Sequence, residues 1–319
     1  AALASKLAEL APGNLNHVFY GCGGSVANDT AVRIIHFYFN QLGKTTKKKI
    51  ISRIDGYHGS TYMAMSITGV EFDHVGFDVD NQMVHHISCP NPYRRTEGMS
   101  LEDFCDSKVA ELEDKILELG ADNVAAFFAE PIFGAGGVIV PPPGYHRKTQ
   151  EVCNKYGVLY VSDEVVTGFG RLGHMFASKD EFDLQPDIIT CAKGLTSGYL
   201  PLSATILSDD IYDVISIPQA KGALFTHGFT YSGHPVCCAA GLKNIEIMER
   251  ENLCEHVNDV GDYFETQLKT LEDLEIVGEV RGRKFMMCIE NVLPSSAILE
   301  KVEVTVGDVL AQGEAEESD

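Results

Sequence analysis

Two residues near the middle of the chain, Asp163 and Lys193, have the types and surroundings for chemistry on a cationic aromatic ring. Each follows a short apolar run, residues 158–161 before Asp163 and residues 187–191 before Lys193. Such runs predict interior strands of a parallel sheet, and ligands bind outside the carboxyl ends of these strands. A buried carboxylate there can meet a protonated ring nitrogen, and a lysine in a glycine-flanked loop can form a Schiff base.

Each of these two residues also has an ordinary interpretation. Asp163 could only open a turn, and Lys193 could be a solvated surface lysine. Three longer stretches favour the chemical interpretation: SDEVVTGFGR from Ser162, PDIITCAKGLTSGYLPLSA from Pro186 and THGFTYSGHP from Thr226. Together they resemble the pyridoxal-phosphate-dependent class-III aminotransferases of fold type I. The resemblance extends over roughly residues 1–290 and is closest to the ω-amino acid or amine:pyruvate transaminases.

This resemblance implies pyridoxal 5′-phosphate as the cofactor and gives each candidate a role. Lys193 would carry the Schiff base and shuttle the proton, while Asp163 would keep the ring nitrogen protonated. Val165 points the same way as Asp163 along an extended chain, so it can press on one face of the ring. Tyr57 would cover the other face, although an aromatic side chain packed in the core is the usual alternative.

A glycine turn follows the predicted strand His17 to Tyr20 and opens a helix, which is a geometry that offers free backbone N–H groups to a phosphate. A tight strand-to-helix turn is the ordinary alternative. The dinucleotide pattern GxGxxG fails because Val26 stands where its third glycine belongs. The resembling family has Ser before the glycine and an acid after the next Ser, so only Gly24 and Ser25 are expected to bind phosphate.

Three further candidates lie on predicted loops. His58, beside Tyr57, is expected either to contact the cofactor or to have only a structural role. Glu130 follows the predicted strand Val124 to Ala129, and it is assigned either to the polar edge of the cofactor or to solvent. The resemblance implies that Thr230 reaches the phosphate of a neighbouring subunit, so it predicts a homodimer with shared active sites.

The predicted reaction moves an amino group from an amine or ω-amino acid to a keto acid such as pyruvate. Another class-III activity, an aminomutase or a decarboxylating aminotransferase, is the alternative within the same fold. The alternative in which the protein is not an enzyme is a truncated, noncatalytic chain that binds the cofactor. Relatives carry an arginine for the substrate carboxylate further along, and the family pattern stops before that position.

Composition excludes several other classes of protein. A net charge of −21 argues against nucleic-acid and anionic-membrane partners, which need clustered Lys and Arg. No apolar run approaches the ~20 residues of a membrane span. The nine cysteines have no metal-ligand spacing, so they predict no metal site and free thiols in a reducing, cytoplasmic compartment.

Strand and helix patterns alternate along the chain, which predicts an α/β fold with a mainly parallel sheet flanked by helices. We assign residues 1–272 to a pyridoxal-phosphate-binding large domain. Residues 273–319 would start a smaller C-terminal α+β domain with an acidic tail. Residues 68–100 lack periodicity and are predicted to form a long loop, whereas Leu101 to Leu119 are predicted to form an amphipathic helix.

The first residues have helical apolar spacing without an N-cap, so the chain is expected to begin inside a helix and to lack an N-terminal segment. The presence of a targeting segment before residue 1 is therefore left undecided. The apolar face of Leu3, Leu7 and Leu10 is then expected to lack partners. On this expectation the 319-residue chain would bind the cofactor weakly and transaminate little, whereas an extended version would be active.

Overall fold

A computed structural model describes residues 1–218 and 222–292. The helices are α1 (Ala2–Leu10), α2 (Gly24–Gln41), α3 (Tyr62–Ile67), α4 (Glu71–His74), α5 (Leu101–Leu119), α6 (Tyr145–Tyr156), α7 (Ala177–Phe182), α8 (Asp209–Ser216), α9 (Pro235–Arg250) and α10 (Leu253–Lys269). The strands are β1 (Leu15–Gly21), β2 (Lys49–Arg53), β3 (Val84–Ile87), β4 (Val124–Ala129), β5 (Leu159–Asp163), β6 (Ile188–Cys191), β7 (Ser203–Ser208), β8 (Val277–Arg283) and β9 (Met286–Asn291).

Seven strands form one sheet in the order β1-β7-β6-β5-β4-β2-β3. Neighbouring strands from β6 to β3 are parallel, and β7 runs antiparallel to both β6 and β1. All residues of β4, β5, β6 and β7 are buried, as strands covered on both faces require. The predicted α/β fold with a mainly parallel sheet is confirmed.

Helices cover the two faces of this sheet. Residues of β4 alternate between them: Phe128 packs in the cluster that contains Ile35 of α2, whereas Phe127 packs with Leu112 of α5 and Val152 of α6. This alternation follows from the two-residue period of a strand, which sends successive side chains to opposite faces. The sheet is therefore fixed on both sides, and its strand ends have little freedom to move.

The parallel strands β2, β4, β5 and β6 end at the same edge of the sheet. Tyr57, Glu130 and Lys193 lie in the connections after β2, β4 and β6, and Asp163 is the last residue of β5. Residues that are far apart in sequence are thereby brought to one edge, where ligands of open α/β sheets bind.

The prediction that the apolar face of Leu3, Leu7 and Leu10 on helix α1 lacks partners is wrong. Leu3 and Leu7 are buried in a cluster with Leu202 of the β6–β7 connection and Ile245 of α9. Leu10 is half-buried against the same cluster. These partners lie 195 to 242 positions away in sequence, so local periodicity could not identify them.

The predicted long loop 68–100 is wrong in part, because it contains the helix α4 and the edge strand β3. Each of these elements has four residues, which is too short to show a period. By contrast, the helix α5 has the predicted bounds. It begins after Ser100, whose hydroxyl accepts from the N–H of Asp103, and it ends before Gly120 at φ 81°.

The hairpin of β8 and β9 forms a separate two-stranded sheet at the end of the described chain. It lies where the smaller domain is predicted to start, and the division at residue 272 stays a prediction. Residues 293–319, with most of the predicted acidic tail, lie outside the described residues. Within residues 1–218 and 222–292, none of the helices combines the length and apolar character needed to cross a bilayer.

Candidate active site

A cleft of about 620 Å³ opens at the edge of the sheet where the parallel strands end. The predicted residues that line it are Gly24, Ser25, Tyr57, His58, Glu130, Asp163, Val165 and Lys193. Thr230 is exposed on the loop before α9 and does not line the cleft. A larger groove of about 850 Å³ lies between α6, α7 and β8, and none of the predicted site residues lines it. The grouping of reactive side chains, rather than size, therefore identifies the candidate site.

Asp163 is 3% exposed at the floor of the cleft, at the end of β5. Its Oδ2 accepts from Asn28 Nδ2 at 2.8 Å and lies 2.8 Å from His58 Nδ1, while its Oδ1 accepts from the N–H of Val165 at 3.1 Å. Asn28 is itself held, because its Oδ1 accepts from Thr190 Oγ1 at 2.8 Å. The carboxylate is thus oriented from α2, from β6 and from the loop after β2.

His58 is held against Asp163 from two sides. Its Nδ1 lies 2.8 Å from Asp163 Oδ2, and its backbone N–H donates to Thr68 Oγ1 at 2.9 Å. Its Nε2 is buried and has no partner among the described residues. His58 therefore helps to fix the orientation of the Asp163 carboxylate.

Glu130 belongs to the cleft, and its interpretation as a solvated strand-end carboxylate is wrong. It is buried, its Oε1 accepts from the N–H of Tyr57 at 2.9 Å, and its Oε2 accepts from the N–H of Gly134 at 2.7 Å. Burial raises the pKa of the Glu130 carboxyl above its ordinary value. Glu130 therefore connects the loops after β2 and β4 and fixes the backbone that carries the Tyr57 ring.

Lys193 lies two residues beyond the end of β6, at the first position of the 3₁₀ turn Lys193–Thr196. Its φ of 33° lies in the left-handed region, a strained conformation for a residue with a side chain. The side chain is exposed to the cleft. The loop around it is tightly packed, because a Cβ on Gly194 would lie 2.9 Å from the Cβ of Phe169.

The start of α2 forms a compact wall of the cleft. Its N-cap, Gly23, makes no side-chain capping bond, so the N–H groups of the first turn remain open to an anion. A Cβ on Gly24 would lie 3.0 Å from the side chain of Val165. The hydroxyl of Ser25 accepts from the N–H of Ser60 at 3.0 Å, and a Cβ on Gly59 would lie 2.3 Å from this hydroxyl. The second approach requires glycine at position 59, whereas the first leaves little room for a side chain at position 24.

Sequence patterns missed Asn28 and Thr190, which orient Asp163, and also Arg171, which lines the cleft. Asn28 lies one turn into an amphipathic helix, where a polar residue normally faces solvent. Its position four residues after Gly24 was the available signal, since that spacing returns to the same face of the helix. Sequence patterns also missed the β8–β9 turn, which contributes Phe285, Met286 and Met287 to the cleft wall.

The residues of the cleft fit a phosphorylated, cationic aromatic ring. A helix start with open N–H groups suits a phosphate, and a buried, oriented carboxylate suits a protonated ring nitrogen. The lysine at the end of β6 suits an aldehyde carbon. The sheet order and this donor set define an α/β transferase domain of fold type I.

Comparison with known proteins identifies the family. A model of the class-III aminotransferases matches residues 1–307. The chain is 45% identical to the uncharacterized aminotransferase y4uB of Sinorhizobium fredii, over 92% of this chain and 63% of that protein. It is 43% identical to the diaminobutyrate–2-oxoglutarate transaminase of Halomonas elongata, over 91% of this chain and 62% of that protein.

A solved structure agrees with these relatives. The ω-transaminase of Pseudomonas jessenii in complex with PMP superposes with a TM-score of 0.89 at 43% identity, covering 91% of this chain and 64% of that one. The chain therefore belongs to the class-III aminotransferase family, whose members use pyridoxal phosphate. It spans less than two thirds of the length of these relatives.

Proposed function

We propose that the protein transfers an amino group from an amine or ω-amino acid to a keto acid such as pyruvate, using pyridoxal phosphate. One observation carries this proposal: the buried carboxyl group of Asp163, oriented by Asn28 and His58, lies at the floor of the same cleft that Lys193 enters. The two residues stand at the ends of neighbouring strands, so a flat ring could contact both. The names of the transaminase relatives support the reaction class.

Each residue has a distinct task in this proposal. Lys193 Nζ would hold the aldehyde carbon of the cofactor, and the same Nζ as a free amine would hold the proton that moves on the substrate. Asp163, oriented by Asn28 and His58, would hold the protonated ring nitrogen. The cofactor would supply a cationic ring that accepts the electrons of the substrate carbon. Tyr57 and Val165 would lie against its two faces.

The start of α2 would bind the phosphate. The open N–H groups of its first turn and the hydroxyl of Ser25 point to this role, while Gly24 allows close approach of the backbone. Glu130 would act indirectly, because its carboxylate holds the N–H of Tyr57. These assignments extend the expectations drawn from the motifs.

A homodimer with shared active sites is part of the proposal. Four large apolar side chains near the Lys193 turn and the Thr230 loop are exposed in the single chain: Tyr199, Leu224, Tyr231 and Val236. An exposed apolar surface of this kind marks an interaction site. A second copy would cover it and would bring its Thr230 to the phosphate. We also propose a cytoplasmic location, which the nine free cysteines support.

Covalent attachment tests the assignment of Lys193. Protein loaded with pyridoxal phosphate would be reduced with borohydride, digested and mapped by mass spectrometry, with the surface variant Lys243→Ala as the matched control. The pyridoxyl group is expected on Lys193 in the wild type and the control, and Lys193→Ala is expected to lose turnover by at least about 10³-fold. A pyridoxyl group on another lysine would refute the assignment.

Product analysis tests the reaction itself. With a primary amine and pyruvate, transamination yields a carbonyl compound and alanine in equal amounts. Carbon dioxide would indicate a decarboxylating enzyme, and an isomerised amino acid would indicate an aminomutase. Cofactor binding without any product would identify a noncatalytic chain.

A further inference from the structure

The turn that presents Lys193 to the cleft has a strained backbone. Lys193 and Ser197 have φ values of 33° and 50°, in the left-handed region that disfavours residues with a side chain. Such conformations persist only where the surrounding structure over-determines them. The N–H of Leu195 donates to the carbonyl of Ala192 at 2.8 Å, and the N–H of Gly198 donates to the carbonyl of Lys193 at 3.1 Å. These local bonds close the turn, but they do not fix its direction relative to the cleft.

Asn244, on α9, attaches this turn to a neighbouring helix. Its Nδ2 donates to the carbonyl of Gly194 at 2.8 Å and to the carbonyl of Leu195 at 3.3 Å. Its Oδ1 accepts from the hydroxyl of Ser197 at 2.6 Å. The amide group thus uses its donor end and its acceptor end on the residues that directly follow Lys193.

Helix α9 is itself fixed by packing against the turn. Gly241 lies one helical turn before Asn244, and a Cβ on Gly241 would lie 3.3 Å from Leu202 Cδ2 and 3.4 Å from the carbonyl oxygen of Leu195. Ile245, next to Asn244, is fully buried in the same apolar cluster as Leu195. The helix therefore gives the Asn244 amide a rigid base.

The turn also packs against the connection between β5 and α7. A Cβ on Gly194 would lie 2.9 Å from the Cβ of Phe169. The turn is therefore held by two elements, of which α9 supplies the side-chain hydrogen bonds. Asn244 does not line the cleft, so it can influence Lys193 only through the backbone of the turn. A displacement of about 1 Å at a reacting group can lower a rate about 10²-fold.

We propose that Asn244 is a positioning residue, whose Nδ2 holds the turn so that the Lys193 amine enters the cleft. The catalytic consequence of this assignment rests on the proposed function, whereas the attachment of the turn does not. Because Asn244 acts through the backbone, substrate binding in the cleft is not expected to depend on it. Loss of its N–H groups is therefore expected to lower kcat and to leave KM nearly unchanged.

The variant Asn244→Asp isolates the donor end of the amide. Its carboxylate keeps an acceptor for the Ser197 hydroxyl but loses the N–H groups that reach the two carbonyls. In steady-state kinetics with an amine and pyruvate, kcat of the cofactor-loaded variant is expected to fall about 10- to 100-fold, while KM changes less than about twofold. Asn244→Gln is expected to recover part of kcat, because it restores an amide donor.

The matched control is Asn123→Ala. Asn123 is half-buried like Asn244, its Nδ2 donates to the carbonyl of Leu119 at 2.9 Å, and it does not line the cleft. The control therefore loses a hydrogen bond of the same kind at a distance from the Lys193 turn. It should change kcat and KM less than about twofold.

Hydrogen exchange of the cofactor-free protein, read by mass spectrometry, supplies a measurement that does not depend on turnover. The N–H groups of Leu195 and Gly198 are expected to exchange about tenfold faster in Asn244→Asp and at the wild-type rate in Asn123→Ala. Ser197→Ala removes only the bond to Asn244 Oδ1, so it should give a smaller increase. This milder variant keeps the assignment testable if Asn244→Asp does not fold.

Unchanged exchange of the turn in Asn244→Asp, or in Ser197→Ala where the first variant does not fold, would overturn the attachment. A change in KM as large as the change in kcat, or equal effects of Asn123→Ala and Asn244→Asp, would overturn the positioning role. A wild type that transfers no amino group, but whose turn exchanges faster in Asn244→Asp, would refute the proposed function and support the attachment.

Discussion

Asp163 and Glu164 are adjacent, buried carboxylates at the end of one strand, yet they have opposite surroundings. Asp163 lines the cleft, and its Oδ2 is contacted by side chains 135 and 105 positions away in sequence. Glu164 does not line the cleft, and its partners lie within 14 positions, on Thr167, Ala177 and Ser178. Asp163 and Glu164 are both buried and both carry a carboxyl group, so neither property distinguishes a ligand-binding carboxylate from a structural one.

The difference lies in how much acceptor capacity remains for a ligand: Oδ1 of Asp163 accepts a single bond, from the N–H of Val165, whereas each oxygen of Glu164 accepts two. Both oxygens of Glu164 are used: Oε2 accepts from Thr167 Oγ1 and the N–H of Ala177, and Oε1 accepts from the N–H and hydroxyl of Ser178. These bonds tie the β5–α7 connection to its own strand. We infer that Glu164 stabilises the fold and that Asp163 serves the cofactor.

The largest effect is expected from Asp163→Asn. This variant keeps the size of the side chain and removes its charge, so kcat is expected to fall about 10³-fold, the scale of losing one preorganised electrostatic group. The melting temperature is expected to stay close to that of the wild type. Steady-state kinetics and thermal unfolding on the same samples measure both quantities. Equal activity losses in Asp163→Asn and Glu164→Gln would remove the distinction between the two carboxylates.

Glu164→Ala is expected to act on stability instead. The substitution leaves buried donors unpaired, including the N–H groups of Ala177 and Ser178, at about 1–3 kcal/mol each. The free energy of unfolding is therefore expected to fall by about 4 kcal/mol, as measured by urea denaturation. Activity per folded molecule should be retained. Glu164→Gln, which keeps an acceptor oxygen, should recover much of the stability, and a stable but inactive Glu164→Ala would contradict this role.

Asp187, immediately before β6, is a third buried carboxyl group, and it allows the comparison of the buried carboxyl groups to be extended to the pH dependence of stability. Desolvation by burial raises its pKa from 3.8 to about 6. Both the folded and unfolded states hold the proton below pH 3.8, whereas above about pH 6 the folded state carries the full penalty of a buried charge. This contribution to stability is therefore lost as pH rises between these values.

Asp187→Asn should remove that pH dependence. Its amide oxygen can still accept from the N–H of Tyr160, so the variant is expected to be more stable than the wild type by about 3 kcal/mol at pH 7 and nearly equal at about pH 4. Urea unfolding across this pH range is the measurement. A difference that does not change with pH would show that Asp187 is not a source of this penalty.

The smallest effect concerns the start of α2. Gly24→Ala would place a methyl group 3.0 Å from Val165, so Val165 must shift away. The dissociation constant of pyridoxal phosphate is expected to rise about fivefold, or about 1 kcal/mol. Gly23→Ala is the matched control, because nothing lies within 4 Å of its Cβ position, and it should change the constant less than about twofold. Equal effects of both substitutions would indicate that the turn, not the contact with Val165, limits binding.

Most elements could be predicted because their signals are local. The helix 101–119 and the strand 124–129 have the predicted bounds, since each depends on a periodic or continuous apolar pattern within one segment. The candidates Lys193 and Asp163 were found for a similar reason, because each ends an apolar run. The burial of Leu3 and Leu7 could not be predicted, because it depends on α9.

The sequence alone determined that Asp163 and Lys193 follow apolar strand runs, that a glycine turn opens α2, and which family the motifs resemble. Only the tertiary structure decided that Asp163 faces the cleft and that Asn28 and His58 orient it. Local patterns depend on neighbours within a few residues. The convergence of α2, β5 and β6 on one point depends instead on strand order and on packing across more than a hundred residues, which no single segment encodes.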